Sequence, residues 1–252
     1  MDLSRRDLLR VGMGAALAGG LGALAAPAWA AGSPAVGARG VGATGLGAFG
    51  EPMRWAGGLP LSSTSSDFTV LKPGSKGPAV AELQQGLAQL GYWCAQSSAT
   101  YSLTTVQAVM ALQKVTGLPR TGVFDAKTAA KLTAKALPKP RSKTGRVVEV
   151  DRAKQVLMVV HSGELRVIVN TSTGARGMTT PAGKWKFARK QEGWPTSMMY
   201  RPRYYNRGYA VHGSPSIPGY PASHGCSRVT PAAMDMLIAQ HLVDLGDTMW
   251  VY

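Results

Sequence analysis

The sequence predicts a multidomain chain of α and β parts, a small three-helix module followed by a mainly β domain. Three observations predict it. Apolar residues recur at helical spacing between residues 78 and 132. From Gly145 onward the apolar period drops to two, with many β-branched residues. Ahead of both lies a glycine-rich stretch with neither period.

Residues 1–30 are set apart from the fold. "SRRDLLR" (Ser4 to Arg10) carries paired arginines, and an apolar run with five glycines follows from Val11 to Ala26. "AWA" at Ala28 to Ala30 offers small residues for cleavage. The apolar run is shorter than the ~20 residues that span a bilayer. The segment resembles a twin-arginine export signal, with an uncleaved N-terminal anchor as the alternative. The expectation is an exported protein, periplasmic or extracellular, with no stable membrane insertion once the signal is removed. Residues 31–67 read as a flexible tether, since Ala31 to Ser66 holds nine glycines and three prolines.

In "PAVAELQQGLAQLGYW", Val80, Leu83, Leu87 and Leu90 share one helix face, Pro78 suits the first turn and Gly91 the stop. "TTVQAVMALQKVTGL" sets Thr105, Ala108, Val109 and Leu112 on one face and stops at Gly117. "DAKTAAKL" opens on Asp125 as N-cap. Residues 68–137 therefore form a three-helix unit near the lower size limit for independent folding. These segments, with the repeated "LQ" pair, resemble the peptidoglycan-binding module of cell-wall enzymes. The usual Asp-Gly turn between its first two helices is replaced by "CAQSSATYS", so glycan contacts there do not carry over.

"LPKPRSKTG" reads as a basic, proline-rich linker, with residues 138–144 between the two parts. Residues 145–252 follow as the second domain. "RVVEVD", "QVLMVVHSG", "ELRVIVNTS", "GKWKFARK", "GYAVHG" and "DTMWVY" read as strands. One helix interrupts them, capped by Thr230 with Pro231 first, through "AAMDMLIAQHL".

The net charge of +15 predicts attraction to polyanions. The lysines and arginines are scattered, with no zinc-finger or RNA-binding signature, so nucleic acid is not an expected partner.

The chemistry concentrates in "SHGCSR", Ser223 to Arg228. A free thiol with a pKa of ~8.5 is mostly protonated at pH 7 and needs an imidazole within reach to act as a nucleophile. His224 lies two residues before Cys226; His212 ends the strand "GYAVHG". A nearby imidazolium is expected to lower the thiol pKa. Gly225 permits a sharp turn whose amides would face an oxyanion, flanked by Ser223 and His224. Arg228 has the fork that suits a carboxylate. Metal binding, half of a disulfide, or a chance pairing in a turn are the other readings. A zinc site would need further ligands, and only His161 and His241 remain among the histidines. No metal and no cofactor is expected. Cys94, in "GYWCAQ" at the end of the first helix, is expected to be buried and not bonded to Cys226.

"VHG" followed by "SHGCSRV" resembles the signature of the L,D-transpeptidase catalytic domain of the YkuD type. "VVEVDRAKQVLMVV", "NTSTG" and "TTPAGKWKF" extend the resemblance over Val147 to Tyr252. It implies a β-sandwich-like fold, Cys226 as nucleophile and His212 as general base and acid. His224 and Gly225 would shape the turn, and Arg228, Gly213 and Ser214 would lie on the substrate side. Some members place serine directly after the first histidine. Here Gly213 intervenes, so a backbone carbonyl is expected to orient the His212 ring. The implied reaction is acyl transfer on peptidoglycan. Cys226 would attack the third residue of a tetrapeptide stem, release D-alanine, and pass the acyl group to an amine. An L,D-carboxypeptidase or a non-catalytic wall binder are the alternatives. Peptidoglycan stem peptides and glycan are the expected partners, and a monomer the expected state. Trp194, Tyr200, Tyr204 and Tyr205 are candidates to line the cleft or to pack in the core. Arg201, Arg203 and Arg207 would face anionic stems or form a solvated basic face.

Overall fold

The computed structural model describes residues 68–95 and 98–252. The export signal and the tether, at residues 1–67, lie outside the described residues.

The helices follow their local signals. α1 (Pro78–Gln89) starts on Pro78, whose missing N–H costs nothing in the first turn. It buries Val80, Leu83 and Leu87. α2 (Leu103–Thr116) ends where Gly117 turns left-handed at φ 72° and donates its N–H to Gln113 O. α3 (Ala126–Thr133) is capped by the Asp125 carboxylate, which accepts from Thr128 N at 2.8 Å and from its hydroxyl at 2.7 Å. Cys94 does not end α1, which stops five residues earlier. It follows in an extended stretch and is buried.

The β domain contains two sheets. One has the order β3-β2-β1-β9-β4, built from β1 (Arg146–Asp151), β2 (Val156–His161), β3 (Glu164–Asn170), β4 (Gly183–Lys186) and β9 (Thr248–Val251). The other has the order β5-β6-β7-β8, from β5 (Arg189–Lys190), β6 (Tyr200–Asn206), β7 (Tyr209–Gly213) and β8 (Ser227–Val229). Val148, Val150, Leu157 and Val159 from the first sheet share a core with Tyr205, Val211 and Val229 from the second. α4 (Pro231–Ala239) adds Ala233, Met234 and Leu237, and the Thr230 hydroxyl caps it by accepting from Ala233 N.

The three helices and the β domain are continuous in space. Val156 and Ile168, from β2 and β3, are part of the helical core beside Leu87, Tyr92 and Leu112. The segment after α1 also pairs with the outer edge of β3. Ile168 N donates to Gly91 O at 2.7 Å, and Trp93 N donates to Ile168 O at 2.9 Å. Polar contacts complete the seam: Asn170 Nδ2 donates to Gln107 Oε1, and Arg120 Nη1 donates to Gly219 O at 2.7 Å. The connection into β1 is tied down too, with Glu149 accepting from Arg141 N and from Ser142 N and Oγ.

Candidate active site

β7 and β8 are parallel neighbours, with His212 opposite Arg228 and Val211 opposite Ser227. Paired residues in a parallel ladder point to the same face, and neighbours alternate. Val211 and Val229 enter the core. His212 and Arg228 therefore share the other face. Cys226 stands at the head of β8, level with Ala210, whose backbone N–H is directed at its sulfur. Its thiol also lies 3.8 Å from Gly208 O. Ala210 and His212 are two residues apart, about 7 Å along a strand.

The turn before Cys226 is held from inside. Ser223 Oγ accepts from Gly225 N at 3.0 Å and donates to Cys226 O at 2.6 Å. Gly225 has φ +115°, and a Cβ there would overlap the Tyr209 ring. On the far edge of β8 runs the segment Thr171–Gly174. Ser172 and Arg228 exchange backbone hydrogen bonds at 3.1 and 2.9 Å, and Gly174 bridges to Ser223.

The His212 ring is buried, with Nδ1 2.8 Å from Gly213 O. This is the carbonyl orientation expected from the intervening glycine. It places the proton on Nδ1 and leaves the Nε2 lone pair free. Burial pushes the imidazole pKa down, the Gly213 carbonyl opposes this, and the Arg228 charge lowers it further. Burial pushes the Cys226 thiol up, partly offset by the Ala210 N–H and by Arg228. Both shifts favour the neutral forms. The expected imidazolium that would lower the thiol pKa is disfavoured here, because a buried ring beside a guanidinium is a poor place for a second positive charge.

The Arg228 side chain has no hydrogen-bond or ion-pair partner among the described residues, and its Nε is buried. The other sequence candidates separate clearly. His224 is exposed. Gly213 packs where a Cβ would press on Pro231 and Tyr200, and Ser214 is buried with its N–H on Val229 O. Tyr205 belongs to the core between the sheets. Tyr204 lies under the Arg189 guanidinium and donates to Gln191. Trp194 is half exposed and packs against Tyr200 at a 44° tilt, with ring centroids 4.9 Å apart. Arg201 is paired with Glu192 and Asp235, and Arg203 with Glu192, so neither faces solvent as a free cation. Arg207 is exposed in the β6–β7 turn. The thiols of Cys94 and Cys226 are both free. No cluster of three or more metal-ligating side chains exists among the described residues.

Sequence reasoning missed Tyr209 under Gly225 and the role of Thr171–Thr173 as the outer rail of β8. The run of small hydroxyl residues in "NTST" was the available signal.

Residues 145–251 match the family model of the L,D-transpeptidase catalytic domain, and residues 76–132 that of a peptidoglycan binding domain. The chain is similar to the crystal structure of the L,D-transpeptidase (residues 123–326) from Xylanimonas cellulosilytica, with 41% identity and a TM-score of 0.70. That match covers 75% of this chain and 100% of the other. It is also similar to an L,D-transpeptidase from Stackebrandtia nassauensis, at 25% identity and a TM-score of 0.46, over 76% of this chain and 97% of the other. No curated protein matches the chain in sequence.

Proposed function

The chain belongs to the L,D-transpeptidase family, and we propose that Cys226 is the nucleophile of its acyl transfer and His212 the group that moves the proton. The observation that carries this reading is the pairing of His212 with Arg228 beside Cys226, with His212 Nδ1 engaged by Gly213 O.

The chemistry follows from the neutral resting pair. As the Cys226 sulfur approaches the carbonyl of the third stem residue, the thiol proton passes to His212 Nε2. The tetrahedral intermediate collapses, and His212 returns that proton to the departing D-alanine amine. A thioester remains on Cys226. The acceptor amine then attacks it, again losing a proton to His212, and the thiol is restored. Gly225 N is committed to Ser223 Oγ, so the amides of His224 and Cys226 are assigned to the oxyanion. The unpaired Arg228 guanidinium is assigned to the anionic stem, whose carboxylate would supply its missing counter-charge. Peptidoglycan is the partner that both family models imply. We place the enzyme outside the cytoplasm, on the twin-arginine-type pattern of residues 1–30. No helix among the described residues is long and apolar enough to cross a membrane.

The test is incubation with a defined tetrapeptide stem, read by mass spectrometry. Cross-linked dimer and an acyl adduct on the Cys226 peptide are expected, both absent from Cys226→Ala. Tripeptide alone would move the reading to hydrolysis. Full turnover in Cys226→Ala would remove Cys226 from its role.

A further inference from the structure

Lys114 is a buried cation outside this machinery. It sits on α2 of the helical module, is 3% exposed and has no carboxylate partner among the described residues. Its ammonium donates to Gln155 O at 3.1 Å and to Thr171 O at 2.8 Å, both across the seam in the β domain. A charge without water or counter-ion is costly to bury. Burial, aided by Arg120, pushes its pKa down to about 7.

Both carbonyls lead to the catalytic turn. Gln155 is buried at φ +62°, a left-handed conformation that its own hydrogen bonds hold. Its side chain grips Thr173, donating to Oγ1 at 2.6 Å and accepting from the backbone N–H at 2.8 Å. Thr173 O then accepts from Ala222 N at 2.9 Å and Ser223 N at 3.0 Å. The second arm is shorter. Thr171 Oγ1 donates to Arg228 O at 2.7 Å, and Ser172 pairs with the Arg228 backbone. One arm reaches the chain just before Cys226 and the other just after it.

We propose that Lys114 is a positioning residue for the catalytic turn, so that the peptidoglycan-binding module supplies part of the frame of the active site. This rests on the assignment of Cys226 and His212 above. The module thus has a second role beyond holding the wall.

The experiment uses the full chain and two readouts. The first is kcat and KM on the tetrapeptide stem. The second is the pH profile of Cys226 alkylation by iodoacetamide, quantified on the Cys226 peptide, which needs no stem. Lys114→Met keeps the aliphatic stem and removes the donors. A misplacement of the order of an ångström costs up to about 100-fold in rate. Lys114→Met is therefore expected to lower kcat by about 10- to 100-fold with KM little changed, and to move the alkylation profile. Lys114→Gln, which retains N–H donors, should recover part of both. Lys131→Met, exposed on α3, should behave as the wild type. A folded Lys114→Met with wild-type kcat and alkylation profile overturns the proposal. If Lys114→Met fails to melt cooperatively, Thr171→Val decides, because it cuts one arm and preserves shape; wild-type behaviour there overturns the proposal equally. If the wild type does not turn over the stem, the activity assignment fails, and the alkylation profile still tests Lys114.

Discussion

Burial favours the neutral forms of His212 and Cys226, and this sets the pH dependence expected of the proposed mechanism. As the proposed base, His212 works only while unprotonated, so turnover should fall as pH drops through its pKa. That pKa lies below the ordinary 6.5, because burial and Arg228 both disfavour the imidazolium. The acidic limb of kcat/KM on the stem should accordingly fall below pH 6.5; a limb above it would mean that the site favours the imidazolium, against the direction set by burial and Arg228. His212→Ala should lose about 100-fold or more, the usual scale for a general base. If His224→Ala proved the more damaging, the roles would be exchanged, although His224 is exposed. Gly225 offers a different test. Gly225→Ala meets the Tyr209 ring and carries a left-handed φ, so stability should fall by about 1–3 kcal/mol and turnover with it. Adding Tyr209→Ala should relieve the overlap and not the backbone strain. Partial recovery in the double variant, followed by denaturant unfolding, would separate the two.

At the scale of elements, α2 carries the most distinctive expectation. An unfolded lysine keeps its proton up to about 10.5, whereas Lys114 in the fold releases it near 7. Between those values the unfolded chain binds more protons, so this group makes stability rise with pH. Below pH 7 both states are protonated and the full cost of the buried charge remains. Denaturant unfolding at pH 7 and pH 8 should show that slope, before the two thiols, raised by burial, add an opposite one, and Lys114→Met should flatten it. The buried tyrosines, raised by burial, enter only when unfolded tyrosine begins to ionise near 10. Helix positions were legible because caps and stops are local: Pro78, Gly117, Asp125 and Thr230 announce themselves within a turn. β6 was not legible. It reads "YRPRYYN", with Pro202 inside it and Arg201 left-handed where the pairing with β7 shifts. The burial of Gln107 and Lys114 was equally hidden, since a polar residue on a helix is buried only if another surface covers it. In the site, spacing left His212 and His224 as alternatives beside Cys226, and the choice of His212 came from the resemblance of "VHG" and "SHGCSRV" to the family signature. The protonation of Cys226 and His212 was not legible, because it depends on which charge lies beside them, and Arg228 is brought there by strand register.

For the whole molecule, the helical core includes Val156 and Ile168 of the β domain, each worth about 1.5–3 kcal/mol when fully buried. A chain starting at Thr144 loses the helices that cover them. It also bares the outer edge of β3, where Gly91 and Trp93 now pair. Such a fragment should melt at a lower temperature than the full chain and associate with itself in gel filtration. The full chain should unfold in one transition by calorimetry, and two resolved transitions would show that the halves are independent after all. The strand-like pairing along β3 also bears on how the enzyme moves through its substrate. A binder joined to a catalyst by a slack leash can stay anchored while the catalyst searches the surroundings. Here the helical module and the catalytic domain share a core, so a molecule anchored through that module would address only the stems that lie at one fixed offset. Once those are spent it must let go before it can work again. On an insoluble wall, the rate of detachment then limits throughput, and tighter anchoring makes the enzyme slower; on free stem peptides the same change leaves it unaffected.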